Sequence, residues 1–279
     1  MPDRFYAPVP FDSSLIELSH DESQHLASVL RKAPGDVVEI FDGRGHAVEA
    51  VVENAAKRAA TVRILRSIPA THAVSPSIEL ATAVPKGDRA RWLIEKATEL
   101  RADVWTPLAL TRSVVDPGDG KLDKLRQTVI TACKQCGRND LLEIGATRAW
   151  TEWLAEASRR GPVLVAHPGG APASQIGTFL REGDAPREGE APAEPRGNPT
   201  KLHQAAQPQD RQPVRPPGFS SASIGHIAIA IGPEGGFTDE EIAAATSAGA
   251  RLLSLGPHIL RIETAAIAAL ASLRLGTSV

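Results

Sequence analysis

The chain has 279 residues, 42% hydrophobic and 23% charged, with a net charge of −2 and a pI near 6.5. This reads as a soluble globular protein long enough for two modest domains, and it excludes attachment to nucleic acid by overall charge while leaving local patches open. No run of ~18 apolar residues marks a membrane span, and Met1-Pro2-Asp3-Arg4 does not open a secretory signal.

Residues 1–72 read as a small β-rich domain. Ser19 caps a short helix and Glu22 completes a capping box. That helix runs to residues 29–32, where Pro34-Gly35 stops it. Strands follow at 37–41 and 47–52, joined by Asp42-Gly43-Arg44-Gly45, whose glycines suit a hairpin turn. A third strand occupies 60–65.

From residue 73 to 279 the pattern alternates strand and helix. Near-continuous apolar strands at 78–84, 103–108, 163–166, 226–231 and 251–255 fit a parallel sheet covered on both faces. Between them, Leu93, Ala97 and Leu100 share one helical face, and Leu122, Leu125, Val129 and Ala132 share another. Thr238 and Glu241 form a second capping box, and Gly249 ends its helix. Residues 183–218 break the pattern. They are rich in Pro, Ala, Glu, Arg and Gln, and read as a flexible surface insertion.

Two glycine-proline loops follow the last two strands. The first is Ile231-Gly232-Pro233-Glu234-Gly235-Gly236-Phe237, and the second runs from Leu255-Gly256-Pro257 through Ile259, Leu260 and Arg261 to Glu263. Loops at the carboxyl ends of neighbouring strands are where open α/β sheets bind ligands, and glycine lets the backbone approach closely. Neither loop is a P-loop or G-x-G-x-x-G. Arg261 lies among Ile259, Leu260 and Ile262, so it either braces the loops by pairing with Glu263 or Glu234 or serves an anionic partner. Cys133 and Cys136, the only cysteines, fall within a helical pattern with no second ligand pair. They read as small buried thiols in a reducing cytoplasm rather than as a zinc site.

These two loops resemble the cofactor loops of SPOUT-class methyltransferases. The whole chain except the insertion resembles the RsmE family, bacterial enzymes that methylate N3 of a uridine in 16S ribosomal RNA. Further matches are Arg4-Phe5-Tyr6, Leu26 to Gly35, Phe41-Asp42-Gly43, Lys86-Gly87-Asp88-Arg89, Arg112-Ser113-Val114 and Ala132 to Arg138. The resemblance implies an α/β fold: an N-terminal PUA-like β-barrel, then a SPOUT domain with a deep trefoil knot. It implies a homodimer joined through the C-terminal helix. It implies S-adenosyl-L-methionine held by His167, Pro168, Ile231, Gly232, Pro233, Glu234, Gly235, Leu255, Gly256, Ile259, Leu260 and Arg261. The expected substrate is 16S ribosomal RNA in the assembled 30S subunit.

The chemistry follows from that substrate. N3 of uracil must lose its proton before it attacks a sulfonium methyl group, so the site needs alignment, a proton acceptor and a cation for the uracil anion. Arg261 suits the cation and Glu234 or Glu263 the acceptor, with no metal required. RNA contact is expected to be local, through Arg4, Tyr6, Arg31, Lys32, Arg112 and Arg138, with Phe5, Tyr6 or Phe41 as a stacking surface. Rival readings are a SPOUT enzyme acting on a ribose 2′-hydroxyl and a catalytically silent RNA-binding protein.

Overall fold

The computed structural model describes residues 2–69, 76–113, 119–181 and 225–277. Insertion 183–218 and the expected boundary at residues 72–73 lie outside them. The elements in chain order are β1 (Arg4–Tyr6), β2 (Leu15–Glu17), α1 (His20–Gln24), β3 (Val37–Phe41), β4 (Ala47–Asn54), β5 (Thr61–Ile68), β6 (Ser77–Thr82), α2 (Asp88–Glu99), β7 (Val104–Ala109), α3 (Asp119–Cys136), β8 (Glu143–Ile144), β9 (Arg148–Ala149), α4 (Trp150–Arg160), β10 (Val163–Pro172), α5 (Ile176–Arg181), β11 (His226–Ile231), α6 (Asp239–Ser247), β12 (Arg251–Ser254) and α7 (Ile262–Thr277).

The first domain is a five-stranded sheet in the order β1-β3-β4-β5-β2, antiparallel except for β1 beside β3. Ser19 accepts the Glu22 amide at the start of α1, as its cap position requires. Asp42 Oδ1 accepts the amides of Arg44 and His46, and Gly43 (φ 78°) and Gly45 (φ 104°) supply the left-handed residues of the hairpin turn. Phe5, Ile16, Leu18, Leu26, Val38, Ile40 and Val62 fill a core of its own.

The second domain is a parallel sheet in the order β12-β10-β11-β6-β7-β8, with β9 also on β7. Its central strands are buried on both faces because helices cover both. On one side α2 packs on α3 and α7, and α7 packs on α5; α4 and α6 pack together on the other. The Thr238–Glu241 capping box forms in full, and Glu241 Oε1 also accepts the amide and hydroxyl of Thr111, tying α6 to the end of β7. Among the described residues no helix is long and apolar enough to cross a membrane.

The domains meet through residues that the sequence offers as RNA contacts, and two of those expectations are corrected here. Arg4 is buried: Nε pairs with Glu39 at 2.8 Å, Nη1 donates to the Cys133 carbonyl at 2.7 Å, Nη2 donates to Asn139, and the guanidinium lies 4.8 Å from the Phe41 ring centroid. Arg138 is buried too, donating to the Thr98 and Ala102 carbonyls and pairing with Asp140 at 2.7 Å. Both guanidiniums are spent inside the protein, so neither reaches an external phosphate. Lys134 adds an ion pair to Glu22 across the same junction, and the β3–β4 turn docks there through Leu141 N to Gly43 O.

Phe5 and Phe41 are core residues, which removes them as stacking surfaces. Tyr6 is half-buried against Phe41 at 5.4 Å, and burial raises its phenol above the ordinary range. Cys133 is buried and burial pushes its thiol up to about 12, so it is inert at neutral pH. Among the described residues no three His, Cys, Asp or Glu side chains converge as metal ligands.

Candidate functional site

Three strands bring the candidate segments together. β10 lies between β11 and β12, all parallel, so their carboxyl ends emerge side by side. Ile231 ends β11, and the first loop follows. Ser254 ends β12, and the second loop follows.

β10 does not stop at residue 166 as its apolar run implies. It continues to Pro172, and its pairing with β12 shifts register between Ala166 and Ala171. His167-Pro168-Gly169-Gly170 forms the bulge, with the Gly169 amide donating to His167 Nδ1 at 3.1 Å. Gly170 passes so close to β12 that a Cβ there would lie 2.4 Å from Leu253 N and 2.7 Å from Leu252 O. Gly170→Ala is therefore expected to force β10 and β12 apart at a cost of about 1–3 kcal/mol or more, read as a drop of several degrees in the unfolding midpoint.

The first loop is held from three sides. A Cβ on Gly232 would come within 2.9 Å of the Phe237 ring, so glycine lets that ring lie against the backbone. Phe237 in turn packs on Trp150 at 4.9 Å between centroids. Arg112 donates to the Gly235 carbonyl at 2.6 Å and to the Phe237 carbonyl at 3.3 Å. The side chain read from sequence as an RNA contact is thus also a brace of the glycine loop.

The second loop is open. Gly256 takes φ 119°, and a Cβ there would meet nothing within 4 Å. Ile259 is 84% exposed, an isoleucine left uncovered beside a bare backbone. An apolar surface next to an accessible glycine is what the flat, polar-edged ring of a purine nucleoside needs. The residues present fit the adenosine part of the implied cofactor.

Arg261 precedes α7 and is exposed; among the described residues its side chain has no hydrogen bond or ion pair. The brace reading is thereby excluded for this structure, because another residue takes both carboxylates. Arg89, in the first turn of α2, has Nη1 at 3.7 Å from Glu234 Oε1 and 3.7 Å from Glu263 Oε1. The two carboxylates differ: the Glu234 side chain is 50% exposed and that of Glu263 only 9%. Glu263 Oε2 is buried without a hydrogen-bond partner among the described residues. Arg89 escapes sequence reasoning because its partners lie far along the chain; the only signal was its place in Lys86-Gly87-Asp88-Arg89.

Of the remaining predicted RNA contacts, Arg31 is exposed and takes φ 53°, while Lys32 is half-exposed and pairs with Asp3 at 2.7 Å.

A model of the RNA methyltransferase domain family matches residues 73–185 and 198–274, and one of the RNA methyltransferase PUA domain matches residues 18–65. Ribosomal RNA small subunit methyltransferase E of Mycobacterium bovis is 28% identical over 276 residues, covering 97% of this chain and 90% of that protein. Among solved structures, a Legionella pneumophila methyltransferase in complex with the bound cofactor SAM is similar at a TM-score of 0.75 and 30% identity, over 99% of this chain and 98% of that one. Ribosomal RNA small subunit methyltransferase E of Neisseria gonorrhoeae, bound to S-adenosyl methionine, is similar at 0.73 and 26%, over 99% and 97%.

Proposed function

The chain belongs to the RNA methyltransferase family, and from that premise we propose that it transfers the methyl group of S-adenosyl-L-methionine to N3 of a uridine in 16S ribosomal RNA, on the assembled small subunit in the cytoplasm. The relatives named for small-subunit ribosomal RNA methylation support the substrate class, and the two structures holding the methyl donor support the cofactor. The observation that carries the reading is the convergence of three strand ends beside an arginine that, among the described residues, pairs with no protein group.

When bound, S-adenosyl-L-methionine supplies a methyl group made electrophilic by its sulfonium. The first loop, the second loop from Leu255 to Leu260, and the His167–Pro168 bulge would hold it. Fixing both reactants on one rigid sheet edge removes the entropy of bringing them together. The Arg261 guanidinium stays protonated and presents forked donors to a uracil carbonyl oxygen as charge builds there. A carboxylate of the Glu234–Glu263 pair receives the N3 proton. Arg31, Lys32 and Arg112 offer the RNA its cationic contacts.

The proposal includes a homodimer and a knot. Trp92 on α2 is 44% exposed and Leu275 on α7 is 77% exposed. These two helices pack together, so apolar surface remains on the helix pair that a second copy would cover. The path of the chain is compatible with a knot: it leaves β12 at the sheet edge and returns as α7 against β11, β6 and α2.

Nucleoside mass spectrometry with primer extension on ribosomal RNA from a strain lacking this gene tests the reading. The expected result is one missing N3-methyluridine in 16S RNA, restored by the wild-type gene. A missing ribose methylation, or an unchanged RNA, overturns it.

A further inference from the structure

We infer that Arg89 is a positioning residue that gives the two carboxylates different work: Glu263 is its buried anchor, and Glu234 is the group that takes the N3 proton. The inference rests on the reaction proposed above.

A proton acceptor must come within hydrogen-bond reach of the ring N–H. Glu263 does not meet that condition. Its side chain is 9% exposed, one oxygen is sealed from solvent, and the other faces Arg89. Glu234, between Pro233 and Gly235 in the first loop, is 50% exposed.

Arg89 connects the two. Gly87 takes φ 62° ahead of α2 and turns the chain so that Arg89 stands in the first helical turn. Nε reaches the Lys86 carbonyl at 3.4 Å while Nη1 lies 3.7 Å from each carboxylate. A buried carboxylate is a fixed point because it cannot leave its cation without exposing an uncompensated charge to a poor solvent. Arg89 is therefore held from the buried side and limits where Glu234 can go on the open side. This is the base-and-orienter arrangement reached through a cation.

The step balances. The N3 proton passes to a Glu234 carboxylate oxygen. The electron pair left on nitrogen forms the new N–C bond as the carbon–sulfur bond breaks, and the pair of that bond returns to sulfur to leave a neutral thioether. The Glu234 proton is then lost to water.

The test uses the full-length protein with purified small ribosomal subunits as substrate and S-adenosyl-L-methionine as donor. Arg89→Gln, Arg89→Lys, Glu234→Gln, Glu263→Gln and the Arg89→Gln/Glu263→Gln double variant are compared. Donor affinity is read by calorimetry, folding by thermal unfolding, and kcat and KM by methyl incorporation. Glu234→Gln is expected to lower kcat by ~10²-fold or more. Arg89→Gln should lower kcat by ~10-fold or more, with KM and donor affinity within about threefold, and Arg89→Lys should recover most of the loss. The double variant should be no worse than Arg89→Gln, because Glu263 acts only through Arg89. A loss that appears in KM or donor affinity, losses that multiply in the double variant, or a Glu234→Gln protein with wild-type kcat overturns the inference. A wild-type protein that binds no donor or methylates no RNA overturns the proposed function, and the inference with it.

Discussion

Replacing Arg261 with alanine is expected to cut methyl transfer by ~10²-fold or more, about 2.7 kcal/mol at the transition state, while leaving donor affinity and folding nearly unchanged. The asymmetry follows from its surroundings. The side chain is exposed, and among the described residues nothing in the protein pairs with it. Removing it therefore strands no buried charge and opens no cavity. On the proposed mechanism its work is confined to the moment when the uracil ring carries negative charge. Arg261→Lys keeps the charge but loses the fork, so it should recover only part of the rate. Single-turnover assays beside calorimetry check this, and unchanged turnover in Arg261→Ala removes the residue from the mechanism.

Glu79→Leu is expected to have the largest effect on stability, about 3 kcal/mol or more. Glu79 lies in β6, buried. Its Oε1 accepts from Thr106 Oγ1 and Trp153 Nε1, each at 2.7 Å, and its Oε2 lies 3.2 Å from Arg160 and 3.5 Å from His226. Burial alone would raise this carboxyl, but the hydrogen bonds and the Arg160 charge outweigh it and hold the group at about 2. A leucine leaves those donors without an acceptor. The same network sets a pH dependence. The ordinary value is 4.5 and the folded value is lower, so the contribution is complete above about 4.5 and is lost as pH falls towards 2. Urea titrations of wild type and Glu79→Leu at pH 7 and pH 3 should therefore differ less at the lower pH. Equal differences at both pH values would separate Glu79 from the acid sensitivity.

Much of this fold is legible from residue pattern. The strands from β6 to β12 that form the sheet centre are largely apolar and buried on both faces, and capping residues such as Ser19 and Thr238 mark helix starts. β1 and β2 escape because three residues carry no period. The extension of β10 escapes because Pro168-Gly169-Gly170 reads as the end of a strand, whereas here it forms a bulge whose fit depends on β12. The two loops could be found from their glycines, and Arg261 from its apolar neighbours. Arg89, Arg4 and Arg138 could not be assigned, because a charge in sequence does not say whether its counter-charge lies in solvent or in a distant segment. Arg138 looked like a hand for RNA and is a rivet between helix α2 and the loop after α3.

The bracket of Arg4, Lys134 and the β3–β4 turn has a mechanical consequence. With the small sheet bolted to the larger domain rather than slung from a tether, the span between the small sheet and the loops of the larger one becomes a dimension of the fold. On the proposed function, such a molecule would work as a caliper: among chemically equal uridines, it would select the one that the assembled subunit presents at the right remove.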